Sequence, residues 1–191
     1  MMKRTIIGWL FMCFVIAVSA QNLKFKDGKF KIIQFTDLHY KLGNPASRQA
    51  TDCLYEIVKA EQPDLIILTG DVIYSKPGDM CLQQILNIMS DLKVPFCYLL
   101  GNHDPEQGTP VTQLYDQAQQ NTYCVQPKRN GNALDFALPI KSSDGAKTAA
   151  VIYGMDTHEY CKMPGVGGYQ WLTWNQIGRY RNWASSFKRE N

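Results

Sequence analysis

The chain has 191 residues, of which 45% are hydrophobic and 19% are charged, and it carries a formal net charge of +3. This length and composition are typical of one globular domain with a substantial core. Apart from two basic residues near the N-terminus, positive and negative side chains almost balance. The charge therefore gives no reason to expect nucleic acid as a partner.

Residues 1–20 have the organisation of a secretory signal peptide. The basic pair Lys3-Arg4 precedes an apolar stretch at residues 6–18, and small residues at 18–20 form a cleavage signal. A retained N-terminal anchor is the alternative interpretation. We expect a periplasmic or secreted domain over residues 21–191. No other stretch is apolar enough to cross a bilayer, so we expect no membrane contact after the signal is removed.

Predicted strands and helices alternate in the first half of the chain. A hairpin over residues 23–36, turning at Asp27-Gly28, leads into a buried strand that ends at Thr36. Apolar periodicity then predicts helix 47–61, strand 64–69, helix 80–93 with Asp79 as its N-cap, and strand 96–100. This order predicts a parallel sheet with right-handed crossovers.

The second half of the chain has a different pattern of predicted elements. Thr109 as N-cap and Pro110 as the first helical residue predict a helix that ends near Gln120. Three short strands, 123–125, 133–138 and 149–153, predict a second, partly antiparallel sheet. A capping box at residues 173–176 opens a final helix, and we expect the aromatic residues around it to pack rather than to bind substrate.

Three of the predicted strands end in residues that can bind a metal ion. These ends are Asp37-Leu38-His39, Gly70-Asp71 and Gly101-Asn102-His103-Asp104. Ligand sites of α/β sheets lie beyond the carboxyl ends of the strands, so we expect the three ends to converge. Carboxylate, amide and imidazole groups suit Mn²⁺, Fe or Zn²⁺. The alternative is that these polar residues only cap strand ends and turns.

The spacing within these motifs favours a site for two metal ions. Residues two apart at the end of a strand point to the same side, so Asp37 and His39 can reach one ion. A carboxylate such as Asp71 can bridge two cations about 3.5–4 Å apart, as in two-metal phosphoryl hydrolysis.

Together and in this order, the three motifs resemble those of the calcineurin-like metallophosphoesterases, and the surrounding sequence is similar to their purple acid phosphatase-like branch. The resemblance runs from Lys29 to the end of the chain. It implies an α/β fold, a metallophosphoesterase-type β-sandwich with flanking helices. The family completes its site with a later His and a Gly-His-x-His motif, which this sequence lacks. We therefore expect the C-terminal part of the fold to be missing and an apolar face to be exposed.

The resemblance also implies a role for each motif residue. The implied metal ligands are Asp37 and His39 for the first of two divalent ions, Asn102 for the second and Asp71 for both. His103 is then the acid that protonates the leaving group or steadies the phosphoryl oxygens, and Asp104 orients its imidazole. The implied reaction is hydrolysis of small phosphomonoesters by in-line attack at phosphorus.

This sequence departs from the family pattern at other positions, and these departures limit which roles the resemblance implies. Purple acid phosphatases have Gly in place of His39 and use a Tyr ligand at the position of Tyr74. Because His39 is present, we expect Tyr74 to be a packing or rim residue. His158 is the one remaining histidine, and we expect it at the surface or the substrate rim, with metal binding as the alternative. A catalytically silent fragment or binding module is the alternative to an enzyme, while near-neutral charge disfavours a nuclease.

Overall fold

The computed structural model describes residues 23–190, so the predicted signal peptide lies outside the described residues. The elements, in chain order, are β1 (Ile32–Phe35), α1 (Pro45–Glu61), β2 (Leu65–Thr69), α2 (Gly78–Leu92), β3 (Phe96–Leu99), a 3₁₀ turn (Pro105–Gln107), α3 (Val111–Gln119), β4 (Phe136–Lys141), β5 (Thr148–Gly154) and α4 (Trp174–Glu190). None of the described helices is long and apolar enough to cross a membrane.

Strands β1, β2 and β3 form a parallel sheet with β2 in the centre. Ile33 pairs with Ile66, and Ile66 pairs in turn with Phe96. The predicted alternation of strands and helices is confirmed. Because parallel strands end at the same edge, the loops after β1, β2 and β3 lie side by side.

Two apolar cores lie on opposite faces of this sheet. The core on one face joins β2 to the buried stripes of α1 and α2, with Leu54 and Ile85 among its members. The core on the other face joins Leu65 and Cys97 to the second sheet through Phe136. Each fully buried side chain of this size contributes about 1.5–3 kcal/mol to folding. The mixed α/β arrangement agrees with the predicted sandwich.

The second sheet has different boundaries from those predicted. Strands β4 and β5 pair in antiparallel fashion, but β4 runs three residues beyond the predicted end of its strand. Residues 123–125 form a single bridge, between Cys124 and Phe96, instead of a strand. The predicted N-terminal hairpin is likewise reduced to one bridge at its turn, because Lys24 pairs with Lys141. Short strand patterns do not specify which partner they meet.

The N-termini of three helices differ from one another in where their capping groups come from. Helix α1 begins at Pro45, with the Asn44 side chain accepting the backbone N–H of Ala46, two residues before the predicted start. Helix α3 has no side-chain cap, so the prediction for Thr109 is wrong. The Thr109 hydroxyl instead accepts the backbone N–H of Asp79, 3.0 Å away, at the start of α2. The predicted capping box of α4 is confirmed, since the Thr173 N–H donates to Gln176 Oε1 at 2.8 Å.

Large apolar side chains are exposed around the start of α4. Trp174 is 85% exposed, so the expectation that these aromatic residues pack is wrong for Trp174. Tyr169 is 65% exposed, although one face of its ring stacks on Tyr160. Farther along the helix, Tyr180 contacts Tyr153 of β5 edge to face, with ring centroids 4.9 Å apart. An exposed apolar face in this region agrees with the sequence-based expectation.

Candidate metal centre

The loops after β1 and β2 are joined by backbone hydrogen bonds beyond the end of the sheet. The N–H of Asp37 donates to the carbonyl of Gly70 at 3.1 Å, and that of His39 donates to Asp71 at 2.9 Å. This ladder brings the first two predicted motifs together. It also fixes the backbone from which their side chains project.

Two glycines allow the second and third loops to approach closely. A Cβ on Gly70 would lie 2.7 Å from backbone atoms of Gly101, and Gly70 also has a φ of +94°. A Cβ on Gly101 would lie 2.2 Å from Asp71 Oδ1. The Asp71 carboxylate therefore occupies space that any side chain at position 101 would fill.

Three of the predicted ligands have left-handed backbone conformations. Their φ angles are +53° for Asp37, +44° for His39 and +50° for Asp71. Such a conformation costs about 1–3 kcal/mol for a residue other than glycine and is concentrated at functional sites. The surrounding hydrogen bonds hold all three residues in it.

His39, Asp71 and His103 offer ligand atoms that all lie within 4.8 Å of one another. One oxygen of Asp71 lies 3.6 Å from Nε2 of His39, and the other accepts the backbone N–H of His103 at 2.9 Å. The rings of His39 and His103 are 5.6 Å apart and lie edge to face. Asp71 is thus the central member of this group, which we call the ligand triad.

The chemistry of the ligand triad fits a divalent metal ion. Nε2 of His39 is buried and has no hydrogen-bond partner among the described residues. Its distances to Asp37 and Asp71, 3.9 and 3.6 Å, are too long for hydrogen bonds. A buried nitrogen aimed at carboxylates is the environment that a cation would satisfy. Two imidazoles and a carboxylate suit Mn²⁺, Fe or Zn²⁺.

Asp37 and Asn102 line the same cleft but lie outside the ligand triad. The cleft has a volume of about 270 Å³ and also includes Asp71 in its wall. Asp37 is exposed and accepts the hydroxyl of Thr36 at 2.6 Å. The Asn102 amide donates to the hydroxyl of Tyr160 at 3.3 Å. Both predicted ligands are therefore near the site, each with a protein partner.

Asp104 connects the second and third loops through their backbone. Its buried carboxylate accepts the N–H groups of Asp71, Val72, Ile73 and Gly101 at 2.7–3.0 Å. Burial raises the pKa of Asp104 to about 6, while the backbone donors favour the charged form and act in the opposite direction. The predicted role of orienting the His103 imidazole does not agree with these contacts, because both oxygens are occupied by backbone groups.

Glu106 provides the carboxylate that contacts His103. Its Oε2 lies 2.7 Å from Nδ1 of the imidazole, and this contact raises the pKa of His103. Glu106 lies outside the motifs from which the site residues were predicted. Its position three residues after His103, in the short turn that follows the motif, is the signal that could have identified it.

Tyr74 packs against both imidazoles of the ligand triad. Its ring centroid is 4.9 Å from that of His39 and 5.0 Å from that of His103. The Lys41 ammonium lies 4.9 Å from the centroid of the Tyr74 ring. These contacts agree with a packing role for Tyr74.

His158 lies on the rim of the cleft. Its Nε2 is 3.0 Å from Oε1 of Gln176, and its Nδ1 is 3.3 Å from Asp156. The Gln176 amide donates in turn to the buried carboxylate of Asp135, which also pairs with Arg179. Both ring nitrogens of His158 thus contact protein groups, as expected for a rim residue.

A second cavity of about 390 Å³ adjoins the cleft. The two share Gly101 and His158 in their walls. Leu100, Val111 and Leu134 make one side of this cavity apolar. The cleft and the cavity are therefore neighbours, and the cleft includes Asp71 of the ligand triad in its wall.

Comparison with known proteins identifies relatives over most of the chain. "Probable inactive purple acid phosphatase 29" of Arabidopsis thaliana is 27% identical, in a match that covers 92% of this chain and 53% of that protein. "Phosphatase DCR2" of Saccharomyces cerevisiae is 25% identical, covering 91% of this chain and 35% of that protein. A shorter match, 32% identical over 41% of this chain and 32% of the relative, is to a "Probable cyclic nucleotide phosphodiesterase" of Psychrobacter arcticus.

The chain spans about half the length, or less, of these curated relatives. The family model for the calcineurin-like phosphoesterases matches residues 30–186, which include all three strand-end motifs and the ligand triad. Because this match covers most of the chain, the protein belongs to the calcineurin-like phosphoesterase family.

Proposed function

We propose that this chain is an exported, metal-dependent phosphoesterase that hydrolyses small phosphomonoesters at a two-metal site. The observation that carries the proposal is the ligand triad, in which a buried, unpartnered nitrogen of His39 faces the Asp71 carboxylate. Family membership supports the reaction type. The names of two relatives, a phosphatase and a probable phosphodiesterase, support it further.

The residues at the strand ends would hold the metal ions. Asp37 and His39 are the proposed ligands of one ion, Asn102 of the other, and Asp71 of both. When bound, the divalent ions would polarise the phosphoryl group, activate water and neutralise developing negative charge. Asp104 maintains the backbone that carries Asp71, since its carboxylate accepts the Asp71 N–H at 3.0 Å.

Within the ligand triad, His103 is proposed as the general acid and not as a metal ligand. Its side chain is only partly exposed, and its Nδ1 contacts Glu106, so its Nε2 is the nitrogen left for the substrate. Proton transfer to the departing oxygen is the contribution expected of an imidazole in this position. His158 and Tyr74 complete the surroundings without a proposed role in proton transfer.

The shape of the site supports a small organic substrate. The cleft of about 270 Å³ suits a phosphoryl group, and the adjoining cavity of about 390 Å³ offers an apolar wall to the alcohol portion of the ester. Such concave, partly apolar sites are typical of small-molecule binding. The balanced charge of the chain does not favour a nucleic acid substrate.

A catalytically silent, metal-binding module is the second candidate. Two relatives in Arabidopsis thaliana, numbered 29 and 14, are named probable inactive purple acid phosphatases. The chain also contains three histidines, fewer than the family pattern implies for a complete site. The ligand triad would then bind a cation without turnover.

Export rests on the sequence of residues 1–20, with their basic start, apolar centre and small-residue end. Fractionation of the native host followed by N-terminal sequencing tests it. A mature chain beginning at Gln21 outside the cytoplasm supports export, whereas an intact Met1 in the cytoplasm contradicts it.

Metal content and turnover, measured on the same samples, distinguish the two functions. Residues 21–191 are loaded with Mn²⁺, Fe²⁺ or Zn²⁺, and hydrolysis of p-nitrophenyl phosphate is followed. Asp71→Asn should lower both metal content and rate, the rate by more than about 100-fold, because a ligand shared by two ions is lost. Asp52→Asn, an exposed change on α1, is the matched control.

Each outcome decides between the candidates. Turnover that requires metal and Asp71 supports the phosphoesterase. Metal binding that requires Asp71 without turnover supports the silent module. An unchanged rate and metal content in Asp71→Asn contradict both.

A further inference from the structure

The carboxylate of Glu106 contacts two aromatic residues of the site at once. Its Oε2 lies 2.7 Å from Nδ1 of His103, and its Oε1 accepts the hydroxyl of Tyr160 at 3.0 Å. His103 and Glu106 are three residues apart, whereas Tyr160 comes from the loop after β5. Glu106 therefore connects the third motif to a distant loop.

The short turn that carries Glu106 is held in place from several directions. Pro105 opens the 3₁₀ turn, and the Gln107 amide donates to the carbonyl of His103 at 2.9 Å. Directly before the turn, Asp104 is tied to four backbone N–H groups. The position of the Glu106 carboxylate is thus determined by neighbours on both sides.

Tyr160 holds the second oxygen of the Glu106 carboxylate in place through a hydrogen bond. Its hydroxyl donates to Glu106 and accepts the amide of Asn102 at 3.3 Å. Its ring stacks on Tyr169, with centroids 5.5 Å apart and planes 22° from parallel. Since both oxygens of Glu106 have partners, the carboxylate has little freedom to turn away from His103.

A carboxylate beside Nδ1 determines which nitrogen of a neutral imidazole carries the proton. It accepts the Nδ1–H, so Nε2 is the nitrogen that takes up a second proton to form the imidazolium and then gives that proton to the leaving oxygen, which restores the Nδ1–H tautomer. Asp104 cannot do this here, because its oxygens are used by backbone donors. Glu106 is the carboxylate in contact with the His103 ring.

We propose that Glu106 is a positioning residue, which fixes the orientation and tautomer of His103 and is itself held by Tyr160. The inference rests on the proposed function of His103 as general acid. Glu106 acts through His103 and does not contact the substrate. Tyr160 makes the position of His103 depend on the loop that follows β5.

The first test measures the tautomer and needs no turnover. Residues 21–191, labelled with ¹⁵N on histidine, are examined by long-range ¹H–¹⁵N correlation, without added metal and again with Zn²⁺. His103→Gln assigns the signal. In its neutral form, His103 of the wild type should carry its proton on Nδ1, whereas Glu106→Ala should lose this preference and Glu106→Asp should recover part of it. Glu56→Ala, an exposed carboxylate on α1, is the control.

The second test compares substrates that differ in leaving group. General acid catalysis contributes about 10²–10⁴-fold, and it matters most when the leaving alcohol is a poor one. Glu106→Ala should therefore lower kcat about tenfold more for phenyl phosphate than for p-nitrophenyl phosphate, with KM nearly unchanged. Tyr160→Phe should keep the tautomer and lower kcat for phenyl phosphate by a smaller factor, about threefold.

The outcomes separate this inference from the proposed function. An unchanged His103 tautomer in folded Glu106→Ala overturns the positioning role, whatever the activity. Equal loss of kcat for both substrates also overturns it. Wild-type protein without turnover contradicts the proposed function, and the tautomer measurement then still decides whether Glu106 orients His103. Because Glu106 is partly exposed, its variants are expected to fold.

Discussion

The buried carboxylate of Asp104 accepts the backbone N–H of Asp71 at 3.0 Å, and through this contact one predicted site residue positions another. The same carboxylate accepts the N–H of Gly101 at 2.7 Å. Since these two loops carry most of the candidate metal centre, the Asp104 carboxylate is the structural link between them.

Asp104→Asn should destabilise the protein by about 3 kcal/mol. The Asn side chain replaces one carboxylate oxygen by an NH₂ group, which cannot accept hydrogen bonds. Backbone N–H groups that donate to that oxygen in the wild type then remain buried without an acceptor, each at a cost of about 1–3 kcal/mol. Urea denaturation followed by circular dichroism measures the free energy of unfolding. Asp52→Asn, exposed on α1, should change it by less than about 0.5 kcal/mol. Equal stability of Asp104→Asn and wild type would show that the four contacts contribute little.

Gly101→Ala should weaken metal binding by at least about tenfold, because the added Cβ would lie 2.2 Å from Asp71 Oδ1 and 2.4 Å from the Asp71 backbone nitrogen, so both the carboxylate and the backbone that carries it must move. Titration calorimetry with Mn²⁺ measures the affinity. Gly167→Ala is the matched control, since a Cβ there meets no atom within 4 Å. If Gly101→Ala binds Mn²⁺ as tightly as wild type, Asp71 is not a ligand in the way proposed.

His39→Asn should abolish most of the stabilisation that metal provides while leaving the metal-free protein folded. Asn tolerates the left-handed backbone of this position, where φ is +44°, and the substitution removes the unpartnered buried nitrogen. A ligand at 100 times its dissociation constant stabilises the wild type by about 2.7 kcal/mol. Thermal unfolding with Zn²⁺ and then with excess chelator measures the difference. A metal-dependent shift of wild-type size in His39→Asn would exclude His39 as a ligand.

Asp64 should contribute stability that is lost in acid. Burial acts to raise the pKa of Asp64, but the Lys26 ammonium, the backbone N–H of Lys31 and the nearby positive charges outweigh it, so the pKa is lowered. Because the pKa is lower in the folded state, the ionised carboxylate stabilises the fold at pH values above the unfolded pKa of about 3.9. This contribution to stability is lost as the pH falls through the folded pKa.

The destabilisation caused by Asp64→Asn should therefore be constant above about pH 5 and shrink below about pH 4. Urea midpoints of Asp64→Asn and wild type across this range measure it. Asp52→Asn, exposed on α1, provides the pH-dependent baseline. A destabilisation that grows as the pH falls has the wrong sign and would contradict the assignment.

The features that the sequence determined by itself are those that depend on neighbours in the chain. The alternation of apolar strands and amphipathic helices led to the parallel sheet, and parallel pairing brings strand ends to one edge. The three strand-end motifs therefore indicate the location of the candidate site from the sequence alone. The capping box of Thr173 and Gln176 is equally local, since its partners are three residues apart.

The tertiary structure decided which side chains meet across long separations. Thr109 accepts the N–H of a residue 30 positions earlier, at the start of α2, and does not cap α3. Asp104 accepts backbone N–H groups of residues 71–73 and does not contact the adjacent imidazole through a hydrogen bond. Glu106 takes the contact with His103 because the turn after Asp104 directs its carboxylate there. A side chain's type limits its possible partners, but only the packing of distant segments determines which partner lies within 3 Å.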